Sequence, residues 1–239
     1  MIQAVAKVLL GPLLLAQGRR VRRTALKLPE PPGQRQGVVG QGQPLRLLVT
    51  GDSAAAGVGA ESQDEGLLGK ILSGLTDTFE VEYRLIAKTG AKTPSTIGRL
   101  ARLDPVAYDV VVTSLGVNDL TSGTSSDEWI SDQQQLINLL RGHFSAQQVI
   151  VAGLPPVGHF PLLPQPLRWY LGNKARRFDR ALRQLTDDLD CDYIPMDIVK
   201  DQSLIAADGF HPGPKVYEMW GREVVSRIMH RHGSIPVSP

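Results

Sequence analysis

From Leu45 onward the chain alternates short apolar runs with longer amphipathic stretches, and no other feature constrains its fold as strongly. Strands buried on both faces read as near-continuous apolar runs, as in a parallel sheet covered by helices. The candidate strands are Leu45–Thr50, Val81–Ala87, Val110–Leu115, Val149–Leu154 and Tyr193–Met196, three of them near-continuous. Between them, Glu65–Leu75, Trp129–Phe144 and Asn173–Leu189 show helical spacing. In the last of these, Phe178, Ala181, Leu182, Leu185 and Leu189 recur at three and four residues, with charge on the other face. A final helix is expected over Gly213–Arg231, with Pro214 in its first turn, where a missing amide costs nothing. With 239 residues, 42% of them hydrophobic and 21% charged, one catalytic domain over residues 45–239 is expected.

The first 44 residues read differently. Leu9, Leu10, Leu13, Leu14 and Leu15, with Val5 and Val8, make an apolar stretch that Lys7 interrupts and that Gly11-Pro12 is expected to bend. The run is too short to span a bilayer, which needs about 20 apolar residues. Arginines follow it, whereas a cleaved export signal carries its charge in front. Lys7, Arg19, Arg20, Arg22, Arg23, Lys27 and Arg35 stand against Glu30 alone. Peripheral membrane contact through residues 1–36, as an interfacial helix with its arginines on anionic headgroups, fits this pattern better than a tail packed on the domain. Pro29 to Pro44, rich in Pro, Gly and Gln, reads as a linker. The rest of the chain is net negative and poor in aromatics, so nucleic acid is not an expected partner.

In a parallel sheet, ligands bind beyond the carboxyl ends of the strands. Gly51-Asp52-Ser53 follows the first candidate strand and Gly90 the second. Gly116-Val117-Asn118-Asp119 follows the third, the Pro-rich Leu154–Leu171 segment the fourth, and Asp208-Gly209-Phe210-His211-Pro212 the last. A serine is a weak nucleophile until a base takes its proton, and a histidine serves as that base when a partner fixes its tautomer. Ser53, His211 and Asp208 have the required chemistry. Ser53 is expected at a helix N-terminus, where its amide would face an oxyanion; a plain N-cap is the competing reading. Asp52 suits a structural role, accepting backbone amides. The Asn118 side chain offers a neutral donor for developing negative charge, and Gly90 a closely approaching amide. Each loop alone also reads as turn chemistry.

Taken in order, these four blocks resemble those of the SGNH hydrolases, also called GDSL esterases and lipases, over roughly Leu45 to Arg231. The resemblance implies a three-layer α/β/α, flavodoxin-like fold with a parallel five-stranded sheet. It further implies Ser53 as nucleophile, His211 as base, Asp208 as its partner, and an oxyanion hole from Ser53, Gly90 and Asn118, with no metal or cofactor. Two positions depart from the family: Ala54 replaces the usual leucine, and the second block lacks the asparagine often found before its glycine.

The expected substrate is a small-molecule acyl ester. The apolar Leu154–Leu171 segment reads either as an acyl pocket or lid, which favours fatty-acyl esters, or as a long connection covering the core. A carbohydrate-ester deacetylase, an acyl thioesterase and a catalytically silent binding module are the alternatives. Cys191 reads as a buried strand cysteine without chemistry, and His143, His230 and His232 as solvated.

Overall fold

The structure, a computed structural model, describes residues 2–197 and 201–233; the side chains of residues 1–9, those of Val5, Lys7, Val8 and Leu9 included, lie outside the description. Helix α1 (Ile2–Thr24) is followed by strands β1 (Gln36–Gly40) and β2 (Gln43–Gly51), α2 (Leu67–Ser73), β3 (Phe79–Ala87) and α3 (Thr93–Leu100). Then come β4 (Val110–Ser114), α4 (Val117–Thr121), α5 (Ser126–His143) and β5 (Gln148–Ala152). The chain continues through α6 (Leu167–Asp188), β6 (Asp192–Ile194) and α7 (Pro214–His232). The strands form one sheet in the order β1-β3-β2-β4-β5-β6.

The five expected strands are all present and mutually parallel. Leu47, Leu48 and Val49 in β2 and Val110, Val111 and Val112 in β4 are fully buried, as residues of strands covered on both faces should be. The chain runs from β2 to β3 on one side and then from β4 to β6 on the other. Right-handed crossovers in opposite directions put α2 on one face and α3, α5 and α6 on the other. The packing of α2 on α7, and of α5 on both α3 and α6, agrees with these three layers.

The sheet is larger than expected and not wholly parallel. β1 pairs antiparallel with β3, from Gln36 opposite Arg84 to Gly40 opposite Glu80. The expected linker over Pro29–Pro44 therefore supplies an edge strand. Its short Gly-Val-Val-Gly core, exposed at Val38, gave no alternation long enough to read as a strand.

Gly11-Pro12 does not end the helix: α1 continues through Pro12. The helix packs on the domain through buried Leu14 and through Gln17, whose amide donates to Gln165 O at 2.7 Å and accepts from Leu167 N–H at 3.1 Å. Arg22 donates to Thr121 O. No described helix is long and apolar enough to cross a membrane. Helix α6 begins at Leu167 rather than Asn173, because Leu167 and Leu171 extend its buried face into what reads as a Pro-rich loop.

Candidate active site

The order of the sheet reverses between β2 and β4, and the two loops leaving them carry Ser53 and Asn118. After β2 the backbone turns at once, with Asp52 N–H donating to Ser114 O at the end of β4. Asp52 Oδ1 accepts Ala54 N–H at 3.0 Å, the structural role expected of it. The turn does not become a helix. Ala56 N–H reaches Asp52 O and Val58 N–H reaches Ser53 O, after which the chain leaves through Gly57 and Gly59, and α2 starts only at Leu67. The expected helix N-terminus at Ser53 is therefore corrected to an isolated turn, and no helix dipole acts there.

Gly59 explains how the two ends of the chain meet. Its φ is +103°, and a Cβ there would lie 2.2 Å from Pro212 O, so only glycine lets the loop after Ser53 touch the loop after His211. Tyr217 in α7, fully buried, fixes the same contact by donating to Val58 O at 2.6 Å. In this arrangement His211 Nε2 and Ser53 Oγ are 2.9 Å apart. His211 Nδ1 and Asp208 Oδ2 are 2.5 Å apart, while Asp208 Oδ1 accepts the amides of Phe210 and His211 at 3.0 Å each. Burial alone would raise the Asp208 carboxyl, but the ring and amide bonds outweigh it and hold the group below its ordinary range.

Asp52 shows the opposite balance. Burial pushes its carboxyl up to about 7, only partly offset by the Ala54 amide and the nearby His211 charge. One Asn118 amide proton goes to Ala91 O at 3.0 Å, and its nitrogen also lies 3.4 Å from Asp52 Oδ2. The second contact is long and weak, which leaves that proton for a stronger acceptor.

Gly90 has φ +77°, is exposed, and has open space where a Cβ would go. It lines a groove of about 1010 Å³ together with Asn118 and His211. A smaller cavity of about 50 Å³ around Ser53 includes Asn118, Pro155, Phe160 and Trp220 but not Gly90. Trp220 Nε1 is buried without a hydrogen-bond partner. Ser53, His211 and Asn118 thus line one cavity, with Asp208 bonded to the far side of the His211 ring, and Gly90 meets Asn118, Asp208 and His211 only along the larger groove.

Several positioning residues escaped the sequence reading. Glu30 Oε1 accepts Thr89 N–H at 2.6 Å and Thr89 Oγ1 at 2.8 Å, and its other oxygen pairs with Arg35, which in turn donates to Ala87 O. The one acidic side chain of the basic segment therefore ties down the loop carrying Gly90; its isolation among cations was the available signal. On the other side of that loop, buried Asp119 accepts Thr93 N–H, and Thr93 Oγ1 accepts from Trp129 Nε1 and Gln133 Nε2. That network links the Gly90 and Asn118 loops through fully buried groups.

Leu154, Val157, Phe160 and Leu163 are buried, so much of the Leu154–Leu171 segment covers core, while Leu162, Leu167, Tyr170 and Leu171 line the groove. Leu163, Leu167 and Leu171 do both, buried on the core and lining the groove. His143 and His232 are half-buried rather than solvated, with partners at Leu103 O and Gln148 Oε1; His230 is exposed. Cys191 is free, half-buried and just ahead of β6. Among the described residues no group of three or more His, Cys, Asp or Glu side chains is arranged to hold a metal ion.

The model of the GDSL-like Lipase/Acylhydrolase family matches residues 49–219. The chain belongs to that family. A GDSL-like esterase of Mycobacterium tuberculosis is 26% identical in an alignment 193 residues long that covers 73% of this chain and 59% of the relative, so the chain spans less than two thirds of that protein. The GDSL fold recurs in a carbohydrate acetylesterase family member from Sinorhizobium meliloti (18% identity, TM-score 0.59, 80% of this chain and 100% of that one). It recurs also in the psychrotrophic esterase EstA from Pseudoalteromonas sp., in a structure inhibited by monoethylphosphonate (19% identity, TM-score 0.57, 79% and 99%). Helix α1, β1 and Glu30 all precede the matched GDSL region.

Proposed function

We propose that the protein hydrolyses carboxylic acyl esters through an acyl-enzyme on Ser53. The observation that carries this reading is the chain of contacts from Ser53 Oγ to His211 Nε2 and from His211 Nδ1 to Asp208, at 2.9 and 2.5 Å. His211 takes the Ser53 proton as Oγ attacks the ester carbonyl carbon. Asp208, ionised and short of further protons, holds the ring so that Nε2 is the free base. The carbonyl oxygen becomes an oxyanion facing the Ser53 amide, the Asn118 side chain and the Gly90 amide. His211 then protonates the departing alcohol, the carbon–oxygen bond breaks, and a water deprotonated by the same ring releases the acid and restores Ser53. No residue in this sequence requires a cofactor.

Covalent labelling tests the reading. A fluorophosphonate probe should modify the wild type at Ser53 and leave Ser53→Ala unmodified, and Ser53→Ala should lose p-nitrophenyl ester hydrolysis. Equal labelling of both proteins would falsify the proposal, and labelling without any ester turnover would favour a silent binding module.

The competing reading, a short-chain deacetylase, rests on one observation: the cavity beside Ser53, about 50 Å³, suits a small acyl group. The fold likeness to a carbohydrate acetylesterase is in keeping with it. A rate optimum at acetyl across a p-nitrophenyl ester series would select this reading over a long-chain one.

A further inference from the structure

We infer that helix α1 is a substrate-binding element: it forms one wall of the groove leading to His211 and Asn118, and that groove takes an ester with a long apolar chain and an anionic group. The inference rests on the esterase reading and adds the substrate class. Leu14, Leu15 and Val21 of α1 face the groove that Leu163, Leu167 and Leu171 line from the other side. Leu15 and Leu26, 64% and 56% exposed, both line the groove, so its apolar lining includes large aliphatic side chains open to solvent. The helix is a fixed wall, held by the Gln17 bonds to Gln165 and Leu167 and by Arg22 on Thr121 O.

At about 1010 Å³, the groove lies at the upper end of the usual range for small-molecule sites. Asn118 and His211 line both this groove and the cavity around Ser53, so the groove's occupant is part of the molecule being cleaved. Charge indicates the rest. Arg19, Lys92 and Arg177 line the groove, whereas Asp208, already bonded to His211, is its only acidic residue among those described. An uncharged chain alone would leave these cations without a counter-charge, and a phosphate or carboxylate on the ester supplies one.

The test uses the full chain with four substrates: p-nitrophenyl acetate, p-nitrophenyl laurate, 1-palmitoylglycerol and 1-palmitoylglycerol 3-phosphate. Wild type should favour laurate over acetate in kcat/KM, and the phosphate ester over its neutral counterpart, each by about tenfold, with the second preference shrinking as salt rises. Leu15→Asp should cost laurate about tenfold and leave acetate within about twofold. Leu15→Trp, which narrows the groove without adding charge, should give the same split. Arg19→Glu should remove most of the phosphate preference and spare the laurate-to-acetate ratio. Acetate preferred by the wild type, or laurate and acetate responding equally to both Leu15 variants, overturns the inference while Ser53-dependent hydrolysis stands. Absence of Ser53-dependent hydrolysis of every ester overturns the esterase reading itself.

Discussion

At the residue scale the two aspartates of the site are set in opposite senses by their surroundings. Asp208 accepts three hydrogen bonds and stays ionised; Asp52, more deeply buried and with fewer, is raised to about 7. The raised group makes stability depend on pH with a definite sign. The folded protein keeps a proton on Asp52 that the unfolded chain releases above its ordinary 3.8, so this contribution is present at low pH and is lost as pH rises from about 4 to about 7. Asp52→Asn should flatten that part of a melting-temperature profile, and an unchanged slope would count against the assignment. For catalysis, Asn118→Ala should lower kcat by roughly 10²–10³ and Asp208→Asn by roughly 10⁴, both measured on p-nitrophenyl esters. Ser53, Asn118, Asp208 and His211, which the structure brings close together, were legible in the sequence because each lies in a recognisable loop motif. Glu30 was not legible, because its role depends on a contact with Thr89 that lies far away along the chain.

At the scale of elements, the loops leaving β3 and β4 are held by distinct clamps, and each can be tested separately. Glu30 holds the Thr89–Gly90 backbone from outside; Glu30→Ala should reduce kcat about tenfold, less than loss of a whole oxyanion donor, with little change in melting temperature. Glu30→Gln, which can still accept the Thr89 bonds, should recover part of the loss. Gly116 shapes the other loop: its φ is +130°, and a Cβ would lie 2.7 Å from the Trp129 ring. Gly116→Ala should therefore destabilise the fold by about 1–3 kcal/mol in chemical denaturation, from strain alone. The parallel strands and long helices were readable because their periods repeat over many residues. Helix α3, α4 and strand β1 are short, and tertiary pairing rather than pattern decides them; β1 exists only because β3 offers an edge.

At the scale of the whole molecule, the described segment ahead of β2 packs on the rest of the chain. Its edge strand, the Glu30 clamp and the α1 wall all engage the catalytic half. Exposed Leu13 and Leu26 with Arg20 and Arg23 nearby still suit contact with an anionic bilayer, and the full chain should co-sediment with phosphatidylglycerol vesicles. Leu13→Asp with Leu26→Asp should abolish that recovery; unchanged recovery would remove the membrane from the account. Sequence composition marked this segment as distinct, but the contacts that bind it to α6 span 148 and 150 residues and have no local signature.

Those long spans carry a consequence for biosynthesis. Gln17 leaves the ribosome well ahead of its partners, which emerge only once Gln165 and Leu167 have been translated. At about 5–20 residues per second, the apolar and basic α1 segment waits many seconds without its partners. Whatever shields Leu14 in that interval, a chaperone or a lipid surface, acts before the groove exists, so nascent-chain crosslinking from position 14 should detect it and lose it when α6 is complete.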